Sequence, residues 1–244
     1  MPQGVANSSY QVGRNLMDHP AQLSWALAPE PVWPYRGPLS TSGIENLRDG
    51  AFRKDRPAFR IELGNDGWSW PKGAPTTTAA DLARLGLRHA ALNSALRDQA
   101  SRHLRLTSLR EQLPKPENRV TLDPDVSDMY GVPLPRIAYR LGEYIQAGLS
   151  AACAAHDKIF TAMGVTEIQH RDDAEGACHI MGTARMGGDP KQSLVDRDLR
   201  SHDHPNLFIL GSAVFPTSAT ANPTLTIAAL SPRAVAQIKA TLTQ

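Results

Sequence analysis

Cys178-His179-Ile180-Met181-Gly182-Thr183 is the stretch on which the reading of this chain turns. An imidazole accepts or gives a proton close to neutral pH, which suits general acid–base work. The glycines at 182, 187 and 188 let a backbone approach a ligand closely. Further on, Ala221-Asn222-Pro223-Thr224-Leu225-Thr226 has the form of a helix start, with a proline at home in the first helical position. The Asn222 amide can donate to an oxygen and still accept from a neighbour. The helix amides behind it offer partial positive charge to an anion. Residue types alone leave plainer readings open: a lone histidine is commonly a hydrogen-bonded core residue, and an asparagine before a helix is a common N-cap.

Working outward, residues 142–163 form a helix with Ile145, Leu149, Ala152, Ile159, Phe160 and Met163 on or near one face, closed by Gly164. Residues 78–112 read as helical, Leu82, Leu85, Leu92 and Leu96 recurring at helical spacing and Thr78 with Asp81 resembling a cap. The arginines and histidines within 84–110 then make a solvated helix face. Strand-like runs fall at 22–27, 58–63, 119–122, 136–139 and 207–210, separated by segments rich in proline and glycine. Val12–Pro20 is polar and turn-rich. His19 beside Asp18, and His156 beside Asp157, read as surface or loop residues.

The chain has 244 residues, 41% hydrophobic and 20% charged, with a net charge of +2, as a soluble globular protein does. No basic run resembles a nucleic-acid site or a membrane patch. Two cysteines, Cys153 and Cys178, make neither a disulfide framework nor a four-cysteine metal site. The first residues have no secretory character and no apolar run is long enough to span a bilayer, so the default expectation is a cytoplasmic protein. His202-Asp203-His204, near Asp196 and Asp198, lies in a turn with no fixed facing geometry, so a solvated loop is expected and no metal site is assigned. A metal hydrolase built on His179, His202 and His204 is the reading this sets aside.

In order along the chain come His179-Ile180-Met181-Gly182-Thr183-Ala184-Arg185-Met186-Gly187, Ser193-Leu194-Val195-Asp196, Pro205–Thr217 and Asn222–Leu230. This succession resembles the C-terminal part of the glucose–methanol–choline (GMC) flavoprotein oxidoreductases. Val12–Pro20, Arg36–Gly43 and Glu117–Leu122 look like the same family. The resemblance implies a mixed α/β (α+β) flavoprotein fragment: a substrate domain with an antiparallel sheet, plus the C-terminal strand and helix of an FAD-binding domain. It divides the chain into a 1–20 linker or FAD-domain remnant, a 21–170 substrate domain and a 171–244 C-terminal segment.

It further implies that His179 is the catalytic base and Asn222 its partner, with hydride passing from a CH–OH group to FAD. Gly211, Ser212 and Ala213 would lie along the flavin, and Asn222, Pro223 and Thr224 would open the helix near its ring. Leu210 stands where the family often has an aspartate. The substrate would be a small alcohol or sugar, and oxygen, a quinone or a cytochrome would take the electrons.

Two departures qualify the resemblance. No two glycines have a single residue between them, so the G-x-G-x-x-G loop that cradles a dinucleotide pyrophosphate is absent. Pro232, inside the last helix, is expected to kink or end it near Ser231. The expectation is therefore a truncated enzyme, inactive alone. Its rival is a non-catalytic remnant or subunit that binds an N-terminal flavin-binding half or an electron-transfer partner.

Overall fold

The computed structural model describes residues 4–65 and 75–243. The chain divides into two compact units, one of residues 20–110 and 143–175 and the other of 1–19, 111–142 and 176–244. This division by contacts is interleaved, whereas the division by resemblance is contiguous; residues 111–142 go with the two termini.

The unit of 20–110 and 143–175 is built on an antiparallel sheet. Its strands are β1 (Pro20–Leu27), β2 (Ser40–Ile44), β3 (Phe59–Gly64), β4 (His103–Arg110) and β7 (Thr166–His170), in the order β2–β3–β4–β1–β7. β1 is central and buried throughout, pairing with β4 from Ala21↔Leu109 to Leu27↔His103. Its side chains alternate between faces. Ala26 and Ala28, with Phe59, Ile61, Leu104 and Leu106, pack with Ala152 and Phe160 of α3 (Glu143–Ala162). Those two residues are eight apart, two turns on one helix face, and His156 lies midway between them. At Gly164, φ is +65°, the left-handed ending that glycine tolerates best.

His156 is fully buried, contrary to the surface position expected for it. It is held between two hydroxyls, Ser24 Oγ at Nδ1 (2.7 Å) and Ser108 Oγ at Nε2 (2.8 Å). Ser24 also meets His170 Nδ1 at 2.7 Å, and His170 Nε2 donates to Asp157 at 2.9 Å. Burial pushes His156 down to about 3, because a charged imidazolium would be poorly solvated there.

The single helix expected over 78–112 is replaced by three elements: α1 (Pro75–Arg84), α2 (His89–Arg102) and then β4. Gly86, at φ +93°, breaks the first two apart. Thr78 lies inside α1 and Asp81 pairs with Arg84 rather than capping. From His103 the pattern changes to period two, and Leu104 and Leu106 enter the core as alternate strand residues. The arginines of this run are therefore not one solvated face: Arg110 is fully buried, and among the described residues none of its guanidinium nitrogens has a hydrogen-bond partner.

The other unit has a two-stranded antiparallel hairpin, β5 (Arg119–Ser127) with β6 (Pro133–Ala138), and one long helix, α4 (Thr224–Leu242). Most of the rest is irregular chain around a core of Met17, Met181, Ala184, Leu194, Val195, Leu199, Val214, Phe215 and Ala234. Ile227 and Leu230 of α4 pack against it beside Ala234, spaced as one helix face. The 207–210 run pairs briefly with 199–201, through Ser201 N–H to Leu207 O and Ile209 N–H to Leu199 O.

Pro232 does not end α4, which continues for ten residues to Leu242. The proline is exposed, so its ring points away from the core and only one helical donor is lost. Anchors on both sides, Ile227 and Leu230 before it and Ala234 after, hold the helix line across the defect.

Candidate active site

His179 is positioned by a segment distant in sequence. Residues 13–19 run antiparallel to 177–183: Gly13 N–H donates to Thr183 O at 2.8 Å, and Met17 and Met181 exchange both backbone bonds at 2.9 Å. Gly182, at φ +91°, is required by this approach, since a Cβ there would run into the Asn15 carbonyl. Cys178, immediately before the histidine, sits at φ +59°, uncommon for a residue with a side chain.

The turn at Cys178 and His179 is held by Asp18, a nearly buried carboxylate. Its Oδ1 accepts from the backbone N–H of His179 (2.8 Å) and of His19 (2.7 Å), and its Oδ2 from that of Cys178 (3.2 Å). Three donors on one carboxylate fix the backbone under the imidazole. Asp18 N–H in turn donates to Gln112 Oε1 at 2.9 Å, which also accepts from the Tyr139 hydroxyl at 2.7 Å. Burial pushes the Tyr139 phenol up to about 12, so it remains a donor.

The rings of His19 and His179 meet edge to face, with centroids 5.0 Å apart and the two Nδ1 atoms at 2.8 Å. His19 is wholly buried and its Nε2 lies 2.7 Å from Ala219 O. His179, by contrast, is only half-buried. The surface positions expected for Asp18 and His19 are thus corrected. Their signal in the sequence was their place directly before Pro20, where an all-buried strand begins, but their partners lie about 160 residues further on.

The second block of candidate residues is tied to the first. Ser212 Oγ donates to Ile180 O (2.6 Å), Gly182 N–H to Ser212 O (3.3 Å) and Ala184 N–H to Ala213 O (2.8 Å). Gly211 has φ +100°, and a methyl group there would meet no atom within 4 Å, so this backbone faces open space. Asn222 is exposed and stands just before Pro223 at the opening of α4, three residues after the Ala219 carbonyl that His19 contacts. Pro223 stands at the N-cap and makes no side-chain cap bond, and Ile227 N–H closes the first turn on Pro223 O.

Residues 114–231 match the family model described as GMC oxidoreductase. The chain is 38% identical over 233 residues to the fructose dehydrogenase large subunit of Gluconobacter japonicus, covering 96% of this chain and 42% of that one. Residues 114–231 are a segment of the GMC oxidoreductase family. A second member, 2-methyl-1,2-propanediol dehydrogenase of Mycolicibacterium austroafricanum, is 28% identical over 253 residues, with 96% and 42% covered. Formate oxidase of Aspergillus oryzae RIB40 shares the fold, with a TM-score of 0.63 at 16% identity over 96% of this chain and 48% of that one. Pyridoxine 4-oxidase from Mesorbium loti does so with a TM-score of 0.56 at 19% identity, over 93% and 43%.

The chain spans 42% of the length of each of the two dehydrogenase relatives. Those two are dehydrogenases by name, and the two solved structures are oxidases by name. A cavity of about 800 Å³ in the same unit is lined by Val5, Tyr10, Val120, Leu122, Thr183 and Ala184, among others, and by none of the candidate chemical residues. Among the described residues there is no cluster of three or more metal-ligating side chains, and no helix is long and apolar enough to cross a membrane.

Proposed function

We propose that this chain carries the catalytic base and part of the flavin-facing wall of an FAD-dependent oxidoreductase acting on the CH–OH group of an alcohol or sugar. The observation that supports this most is the mounting of His179: its backbone is fixed by the Asp18 carboxylate, and the residue is only half-buried. A base must be held within hydrogen-bond reach of the proton it removes, and this mounting provides for that.

The residues fit a flavin. Gly211 offers open, side-chain-free backbone, and the first turn of α4 offers amide donors and partial positive charge. Gly211, Ser212 and Ala213 would lie along FAD, with Asn222, Pro223 and Thr224 at its ring. When bound, FAD supplies the acceptor for the hydride leaving the carbinol carbon. His179 takes the hydroxyl proton, so the alcohol becomes a carbonyl as one hydride and one proton leave it. Asn222 donates to the substrate oxygen as negative charge grows there.

By likeness to the fructose dehydrogenase large subunit, a sugar is the first substrate to try, and the words "large subunit" favour an association with further subunits. The chain contains no G-x-G-x-x-G loop, so the pyrophosphate must be held by residues from elsewhere. The expected result is that the chain alone is colourless. Co-expressed with the amino-terminal part of that relative which it does not span, it co-purifies yellow, and anaerobic D-fructose or a small alcohol bleaches the flavin. A yellow complex that no alcohol or sugar bleaches would refute the reading. A binding role for an amino-terminal half, without chemistry, would then remain.

A further inference from the structure

His19 is a buried ring that touches His179, and its partners determine where the protons lie. A carbonyl oxygen only accepts, so the 2.7 Å contact from His19 Nε2 to Ala219 O requires a proton on that nitrogen. Complete burial disfavours the charged imidazolium. Neutral His19 with its proton on Nε2 has a bare Nδ1 lone pair. The atom 2.8 Å from that lone pair is His179 Nδ1, which must then carry the proton between them. Neutral His179 with its proton on Nδ1 has its lone pair on Nε2.

We propose that His19 is a positioning residue that fixes the tautomer of His179, leaving Nε2 as the atom that accepts the substrate proton. The inference rests on His179 being the base and adds which of its nitrogens acts and what decides it. The chain of bonds runs in one direction: His179 Nδ1–H to His19 Nδ1, and His19 Nε2–H to Ala219 O. It survives proton uptake, because imidazolium His179 still donates from Nδ1 to the same lone pair. His19 thus stabilises the protonated product of the step while taking no proton itself. The Ala219 carbonyl ends the chain three residues before Asn222, so the same contact ties the base to the segment that would hold the substrate oxygen.

Asp18 is excluded from this role. Its carboxylate oxygens accept from backbone amides of residues 19, 178 and 179, so it sets the position of the turn, not the ring protonation. If His19 were instead the imidazolium, its Nδ1 would donate to His179 and the Nε2 of His179 would carry the proton. His179 could then accept nothing from a substrate. The two arrangements are opposite and distinguishable.

The test is long-range ¹H–¹⁵N correlation of imidazole nitrogens in the ¹⁵N-histidine-labelled chain, assigned with His179→Gln and His19→Asn. At a pH where His179 is neutral, the expected result is a pyridine-type Nε2 and a pyrrole-type Nδ1 for His179, and a pyrrole-type Nε2 for His19. His19→Leu removes the acceptor, and the His179 Nε2 signal then shifts toward the pyrrole type. His19→Asn keeps an acceptor oxygen near the Nδ1 position and restores the wild-type pattern. Unchanged His156 signals report that the fold is intact, and if His19→Leu unfolds, the wild-type and His19→Asn spectra decide. A pyrrole-type His179 Nε2 in the wild type, or no shift in folded His19→Leu, overturns the proposal. Failure of the base reading shows differently: FAD-loaded His179→Asn would bleach at the wild-type rate with the tautomer pattern of the wild type as predicted.

Discussion

At the scale of single residues, the candidate site depends on a few atoms that admit no substitute. Gly182 combines a positive φ with a neighbouring carbonyl where a Cβ would lie. Gly182→Ala should therefore cost about 2 kcal/mol or more, and it should separate residues 13–19 from 177–183. Chemical denaturation, with amide exchange at Met17 and Met181, checks this. Arg110 shows the reverse case. Its buried guanidinium lacks partners among the described residues, and burial pulls it down to about 10. Arg110→Met should stabilise the chain by about 1–3 kcal/mol, since an apolar isostere carries no unpaired donors. A lower melting temperature for the folded variant would show that the guanidinium has a role in stability that its contacts do not reveal. His179 and Asn222 could be picked out in the sequence by their neighbours. Asp18 and His19 could not, because what makes them important is a partner about 160 residues away.

At the scale of elements, α4 tolerates a proline where a helix should be weakest. Pro232→Ala restores a backbone donor and relieves crowding at the preceding turn. Stability should rise by up to about 3 kcal/mol with no change in helix length. Thermal unfolding followed by far-ultraviolet circular dichroism tests it; no gain would mean that the donor lost at Ala228 O is already compensated. The elements differ in how far sequence exposes them. β1, β3 and α3 are legible because their apolar residues keep one period throughout. β4 was hidden: it follows α2 without a break, and its clean alternation lasts only over residues 103–106. A sequence window centred on α2 carries the helical period too far. Pro232 misled for the opposite reason, since propensity is local while the packing of Ile227, Leu230 and Ala234 is not.

At the scale of the whole molecule, acid should act first on the unit of residues 20–110 and 143–175. Burial pushes His156 to about 3 and His103 to about 4, both below the ordinary histidine value near 6.5. The unfolded chain therefore binds more protons between those values. Stability is fully present above about pH 6.5 and falls as pH drops toward 3, by up to about 1.4 kcal/mol per pH unit for His156. Urea midpoints measured from pH 7 to pH 4 should show this slope, and His156→Asn should flatten it even where it lowers overall stability. An unchanged slope would mean His156 is protonated in the folded state. The interleaving of 111–142 with the termini was not legible, because contiguity is the only guide a sequence offers to a domain boundary.

The central claim is that the half-buried His179, on a turn held by the buried Asp18 carboxylate, removes the substrate proton. Its most direct test is the anaerobic flavin-bleaching rate of the FAD-loaded protein with saturating sugar or alcohol, wild type against His179→Asn. The account predicts a rate lower by about 100- to 10,000-fold with flavin content unchanged. A His179→Asn rate within about twofold of wild type would contradict it.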